Sequence, residues 1–154
     1  MSGKTFVDTN ILIYAHDVDA GRKNTIANAR LRDLWDSGTG IVSAQVLQEF
    51  YVNVTRKIPN PLTKDRAREV IHNYAQWCTE TTIGELYSAF RIEDNVKIGF
   101  WDALIIASAA KAGADWILSE DLSAGQRIAG VLVENPFANA PRTSKPKASS
   151  KPAK

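Results

Sequence analysis

The chain has 154 residues, 44% of them hydrophobic, a composition typical of one soluble globular domain with its own core. Its single cysteine, Cys78, excludes an internal disulfide and a cysteine-based zinc site and suits a reducing compartment. No stretch approaches the ~18 consecutive apolar residues of a membrane span, and no long apolar run follows Lys4 as in a signal peptide. We therefore expect a cytoplasmic protein.

The net charge of +2 is unevenly distributed along the chain. Residues 139–154 hold five of the 19 basic residues and no acid, so the other 14 basic residues face 17 acids and leave residues 1–138 at about −3. This last segment is rich in Pro, Ser and Lys and has no aromatic residue. We expect one domain over residues 1–138 and a disordered tail over 139–154. The tail is interpreted as solubilising, with an arm that touches nucleic acid as the alternative.

Apolar periodicity predicts strands that alternate with helices. The predicted strands are residues 5–7, 41–43, 78–82, 116–119 and 131–133, and the predicted helices are 10–15, 22–36, 44–57, 63–77, 83–94 and 100–113. Ser43 and Thr63 are suitable N-caps for two of these helices. The alternation indicates an α/β fold, in which a parallel sheet is covered by helices on both faces.

Acidic residues occur where such a fold places the ends of strands. Asp8 directly follows the first strand, and Glu120 and Asp121 follow the fourth. Glu49 lies off the apolar stripe of the helix after the second strand, and Asp102 lies in the first turn of an almost wholly apolar helix. Because the carboxyl ends of parallel strands meet at one edge of the sheet, we expect these carboxylates to share a cleft.

Several carboxylates in one cleft repel one another, and a divalent cation offsets that repulsion. Oxygen ligands without Cys or His favour Mg²⁺ or Mn²⁺ over Zn²⁺. Such an ion stabilises charge at a phosphodiester and helps to generate a hydroxide nucleophile, which suits a nuclease. Taken singly, each acid also has an ordinary structural interpretation as a helix cap, a helix-dipole acid, a turn residue or a solvated helix face. Only their joint placement favours a metal site.

The segments around these acids resemble the PIN-domain family of metal-dependent ribonucleases. The matching segments are residues 8–15 (DTNILIYA), 45–50 (QVLQEF), 101–107 (WDALIIA) and 118–121 (LSED). They occur in the family's order, and the resemblance extends from residue 4 to about residue 136. The compact length and the lack of an added domain are most similar to the VapC-type toxins of toxin–antitoxin pairs.

The resemblance implies a PIN-like fold, in which a central five-stranded parallel sheet lies between helices in three α/β/α layers. It also implies a site for Mg²⁺ or Mn²⁺, with catalytic ligands Asp8, Glu49, Asp102 and Asp121. In this family a metal-activated water attacks the phosphorus of RNA and leaves a 5′-phosphate and a 3′-hydroxyl. The implied partners are a tRNA, rRNA or mRNA substrate, an antitoxin that blocks the cleft, and a second copy in a homodimer.

Residues next to the four acids are implied to orient them. Asn10 and Ser119 would position the carboxylates or a water. Ser119 stands where the family often has Thr, and Glu120 competes with Asp121 for the role of fourth acid. We favour Asp121, because it lies two residues beyond Ser119, as in the family's closing motif.

Two other functions remain open. Asp8 could be the nucleophile of an aspartyl-phosphate phosphatase, although Asn10 occupies the place where that mechanism normally has a second acid. A PIN-like domain could also bind RNA or a partner without cleaving. The four tryptophans are interpreted as core residues rather than base-stacking platforms, and among them only Trp101 is adjacent to a proposed ligand.

Overall fold

The computed structural model describes residues 3–138, so the predicted tail over 139–154 lies outside the described residues. The strands are β1 (Thr5–Val7), β2 (Gly40–Ser43), β3 (Cys78–Thr79), β4 (Trp116–Leu118), β5 (Arg127–Ile128) and β6 (Val131–Glu134). The α-helices are α1 (Thr9–His16), α2 (Arg22–Ser37), α3 (Ala44–Arg56), α4 (Lys64–Tyr74), α5 (Ile83–Asn95) and α6 (Phe100–Lys111). The predicted helices are confirmed with small changes at their ends, whereas β3 ends three residues earlier than predicted.

The strands form one mixed sheet in the order β3-β2-β1-β4-β6-β5. The five predicted strands run parallel to one another, and the additional strand β5 pairs antiparallel with β6. The α/β fold is therefore confirmed, and the sheet has one short strand more than expected. The loop between β5 and β6 has positive φ at Ala129 (51°) and Gly130 (83°), as a two-residue hairpin loop of type I′ requires.

Helices pack in two groups around the sheet. In one group α1 contacts α2 and α3, and α3 contacts α4; in the other group α5 packs along α6. The central strands are buried as continuous apolar runs, with Phe6, Val7, Ile117 and Leu118 fully covered. Within residues 3–138, no helix has the length and apolar character needed to cross a membrane.

An aromatic corner formed by Trp35, Tyr74 and Trp77 closes one end of the sheet. The ring centroids of Trp35 and Trp77 are 4.3 Å apart, and those of Tyr74 and Trp77 are 5.4 Å apart. The Trp77 indole also lies against the backbone of Gly40 in β2, where a Cβ atom would come within 2.7 Å of the ring. The close approach of this ring explains why residue 40 has no side chain.

The order of the strands marks one position on the sheet for ligand binding. β2 and β3 extend the sheet on one side of β1, while β4 and β6 extend it on the other. In open α/β sheets, ligands bind beyond the carboxyl ends of the strands where the direction of winding reverses. That position lies between β1 and β4, the strands that Asp8 and Asp121 follow.

Candidate active site

An open cleft of about 520 Å³ lies at this carboxyl edge of the sheet. It is lined by residues that follow β1 and β4, by one side of α3, and by the first turns of α6. Four of the lining residues are the predicted acids Asp8, Glu49, Asp102 and Asp121. The structure thus places in one cleft four carboxylates that are widely separated in the sequence.

Asp8 is the most buried of these acids, with 6% of its surface exposed. Its Oδ1 accepts the backbone N–H of Thr9 at 2.7 Å, so Asp8 is the N-cap of α1, and its Oδ2 accepts the hydroxyl of Ser119 at 2.8 Å. Burial raises the pKa of Asp8 from 3.8 to about 6, against the opposing effect of these two hydrogen bonds and with a contribution from the charges of Asp121 and Asp102. The helix-cap role and a place in the acidic cleft thus belong to the same carboxyl group.

Ser119 connects Asp8 to the turn that carries Asp121. Its side chain is fully buried, and its Oγ accepts the backbone N–H groups of Asp121 at 3.2 Å and Leu122 at 3.4 Å. Because the same hydroxyl donates to Asp8, it fixes the orientation of that carboxyl. Ser119 therefore lies behind the cleft surface and contacts the acids from within the protein.

The outer acids have hydrogen bonds to neighbouring polar side chains. The Thr9 hydroxyl donates to Oε1 of Glu49 at 2.8 Å, and the Asn10 amide donates to Oδ2 of Asp121 at 2.9 Å. Burial raises the pKa of Asp102, and the negative charges of Asp121 and Glu49 raise it further. The sequence analysis did not predict the hydrogen bond from Thr9 to Glu49. The position of Thr9 between Asp8 and Asn10 was the signal that could have indicated it.

Glu120 is directed away from the cleft. Its Oε1 accepts the hydroxyl of Tyr14 at 2.6 Å, and its Oε2 forms an ion pair with the Lys23 ammonium. Partial burial acts in the other direction, but these hydrogen bonds lower the pKa of Glu120 overall. Among the described residues that line the cleft, Asp121 is present and Glu120 is not. The neighbouring acids therefore occupy different environments.

The chemistry of the donor set fits a hard divalent cation, although the acids do not form a ready-made cluster. Among residues 3–138, no three His, Cys, Asp or Glu side chains are placed to hold a metal ion together. Glu49 and Asp121 instead direct one oxygen each to a protein donor. Their carboxylate oxygens are the ligands that Mg²⁺ and Mn²⁺ prefer, and the pKa of Asp102 is raised first by burial and then by the negative charges of Asp121 and Glu49. The second oxygen of each carboxylate is not used in these hydrogen bonds, so it could contribute to binding a cation.

Gln45 is a cleft residue to which the sequence analysis assigned no role. It lies one turn before Glu49 on α3, and both polar atoms of its amide are buried without a hydrogen-bond partner among the described residues. An unpaired buried amide costs about 1–3 kcal/mol of stability. A residue retained at that cost is a candidate for contact with a ligand of the cleft.

We expect Gln45→Met to increase the free energy of unfolding by about 1 kcal/mol, because it removes the unpaired amide while preserving side-chain volume. Urea denaturation followed by circular dichroism measures the change. Gln48→Met is the matched control, since Gln48 lies on the same helix but is exposed, and its effect should stay within about 0.5 kcal/mol. A clear loss of stability in Gln45→Met would mean that the amide is stabilised in the folded protein.

The fold and the cleft define the class: an α/β protein with a carboxylate-lined cleft beyond a mostly parallel sheet. The family model for the PIN domain matches residues 5–128. The chain belongs to the PIN domain family. A comparison with curated protein sequences finds no match.

Several solved structures have a similar fold. A chain of VapBC2 from Rickettsia felis, bound to a DNA fragment from its promoter, has a TM-score of 0.61 and 18% identity over 85% of this chain and 97% of its own. A toxin–antitoxin complex from Klebsiella pneumoniae has a TM-score of 0.62 and 17% identity, covering 87% and 98%. VapC20 from Mycobacterium tuberculosis, described as a sarcin–ricin loop cleaving toxin, has a TM-score of 0.57 and 20% identity, covering 77% and 90%. At these identities the likeness establishes the shared fold.

Proposed function

We propose that this protein is a metal-dependent endoribonuclease and the toxin of a toxin–antitoxin pair. The observation that carries the proposal is the cleft in which carboxylates from four separate parts of the chain meet at the reversal point of the sheet. Membership of the PIN family supports it, since PIN domains are typically nucleases. The similar fold of VapC20, described as a sarcin–ricin loop cleaving toxin, is in keeping with it.

The acids and the polar residues around them have distinct parts in this proposal. The ligands of Mg²⁺ or Mn²⁺ would be Asp8, Glu49, Asp102 and Asp121. When bound, such an ion would stabilise negative charge at the phosphodiester and lower the pKa of water. Ser119 holds Asp8 in one orientation, and Asn10 holds Asp121 near the cleft surface. Lys57, the only basic residue among the described lining residues, would contact an RNA phosphate.

The proposed partners follow from the charge of the cleft and from the similar structures. An acidic cleft favours an antitoxin that places a basic side chain among the carboxylates. The complexes from R. felis and K. pneumoniae pair a toxin with an antitoxin, which supports an antitoxin here. We further propose a cytoplasmic homodimer that acts on tRNA, rRNA or mRNA.

Cleavage of total RNA by the purified protein tests this function. The reaction is run with Mg²⁺, with Mn²⁺ and with EDTA, beside an Asp102→Asn variant purified in the same way. Discrete fragments that require the metal and disappear in the variant are expected, and mapping their ends identifies the target. Folded, antitoxin-free protein that cleaves no RNA under any of these conditions would favour the binding-only alternative.

The neighbouring acids Glu120 and Asp121 provide a matched pair of variants. Asp121→Asn is expected to reduce the cleavage rate by about 100-fold or more, because it removes a carboxylate proposed to hold the cation that stabilises charge at the reacting centre. Glu120→Gln should cleave within a few-fold of wild type, because Glu120 contacts Tyr14 and Lys23 outside the cleft. Rates are compared at equal concentrations of folded protein. Equal losses in both variants would contradict this assignment of the fourth acid.

A further inference from the structure

Trp101 is exposed, contrary to the interpretation of the tryptophans as core residues. It is the second residue of α6, and 63% of its surface is accessible, whereas most of the helix after it is buried. The side chain lines the cleft next to Asp102. An exposed apolar ring rimmed by polar residues is typical of a ligand-binding groove.

The indole is supported on one side and open on the other. It packs edge-to-face on Phe100, with ring centroids 5.1 Å apart and an interplanar angle of 72°, and Phe100 in turn lies 6.0 Å from Phe90. These contacts restrict the indole before any ligand binds. A restricted aromatic ring loses little conformational entropy on binding, so it suits the recognition of another flat ring.

We infer that Trp101 is a base-stacking subsite, on which an unpaired RNA base next to the phosphate at the acids is bound. The inference rests on the proposed function, because the cleft acids define where the phosphate lies. Bases stack on aromatic side chains with little sequence preference, and only an unpaired base exposes its face fully. The substrate would therefore be single-stranded at the cut site, in a loop, a bulge or an end.

A protein partner is the competing occupant. Ile83, Tyr87 and Phe90 are exposed at helical spacing on α5, and this apolar strip continues to Phe100. A second copy of the chain could cover the strip. Trp101 differs from the strip because it also lines the acidic cleft. There an RNA phosphate can contact Lys57 directly and the carboxylates through a bound cation, whereas an apolar surface can do neither.

Binding of a single-stranded oligoribonucleotide tests the inference without cleavage. In an Asp8→Asn background that prevents turnover, the RNA should quench tryptophan fluorescence, and Trp101→Phe should remove most of this quenching. Trp101→Ala should weaken binding about 5- to 100-fold, the range for loss of one stacked base, and Trp101→Phe should weaken it less. Trp35→Phe is the matched control, since Trp35 is 37% exposed but lies in the aromatic corner outside the cleft; its affinity and quenching should match the parent's.

A substrate without the stacked base provides the second measurement. Once the cut site is mapped, RNA with an abasic nucleotide beside it should be cleaved more slowly by wild type, with little further loss in Trp101→Ala. Additive losses, or Trp101→Ala binding and cleaving RNA as wild type does, would overturn the inference while leaving the nuclease established. The inference would also be overturned if RNA did not quench the fluorescence of the Asp8→Asn protein and Trp101→Ala changed the molecular mass in solution. Those two results would assign Trp101 to a protein interface. Absence of cleavage by wild type would instead refute the proposed function.

Discussion

Replacement of Asp8 by Asn is expected to reduce RNA cleavage by about 10³-fold, because it removes one of the carboxylates proposed to hold the cation that stabilises charge at the reacting centre. The fold should survive the change. Asn is as good an N-cap as Asp, so the bond from the Thr9 N–H that begins α1 is retained. The hydrogen bond to the Ser119 hydroxyl is expected to be lost, at a cost of about 1 kcal/mol, because that oxygen already accepts two backbone N–H groups and cannot also accept from an amide nitrogen. Single-turnover cleavage with mapped substrate measures the loss.

The same variant should be more stable than wild type at neutral pH when metal is absent. The pKa of Asp8 is about 6 in the folded protein and 3.8 ordinarily, so the folded state binds this proton more tightly. The stability that protonated Asp8 contributes is complete below pH 3.8 and is lost as the pH rises through 6. The advantage of Asp8→Asn should therefore grow between pH 4 and 7, to at most about 3 kcal/mol.

Urea denaturation of both proteins in EDTA from pH 4 to 8 measures this difference. Groups that do not interact with Asp8, such as the half-buried His16, contribute equally to both proteins and cancel in the comparison, whereas the interactions of Asp102 and Asp121 with Asp8 are part of the measured difference. A difference that does not vary with pH would contradict the raised pKa of Asp8. An inactive variant that is also unfolded would show that Asp8 is required mainly for structure, and the loss of cleavage could then not be assigned to chemistry.

Gly40→Ala is expected to cost the fold about 2–3 kcal/mol, at the upper end of the range for overpacking. The added Cβ would lie 2.7 Å from the Trp77 indole, which is itself buried against Trp35 and Tyr74 and has little room to move. Thermal and urea denaturation measure the loss.

Two variants show whether the close contact is the cause. Gly84→Ala is the matched control, because a Cβ there meets only an ordinary contact of 3.4 Å with the Thr82 hydroxyl, and Ala should improve the first turn of α5 by up to about 1 kcal/mol. Gly40→Ala should also cost less in a Trp77→Leu background, where the ring is gone. A full cost in that background would mean that the backbone of β2, rather than the indole, excludes a side chain.

Local signals predicted the helices well. Ser43 and Thr63 each accept a backbone N–H at the start of their helices, as their positions before an apolar stripe indicated. The hairpin strand β5 was not predicted, because two residues are too few to show the alternation of apolar and polar side chains that indicates a strand. Its loop also has Ala129 where Asn or Asp is the usual signal for positive φ.

The candidate site depended on contacts between distant parts of the chain. The sequence predicted that the four acids share a cleft, and their assignment as metal ligands stays a prediction. The different environments of Glu120 and Asp121 depend on Tyr14 and Lys23, which are 106 and 97 residues from Glu120. The exposure of Trp101 could not be predicted either, because the apolar sequence of α6 indicates that the helix is buried on all sides.

The two ends of the sheet limit how this protein can associate with others. Each outermost strand, β3 and β5, is only two residues long in the described part of the chain. An edge this short offers few free backbone groups, so it is a poor template for adding a strand from another molecule. The folded protein should therefore resist amyloid-like stacking, and a partner must dock on helices, loops or the cleft rather than extend the sheet.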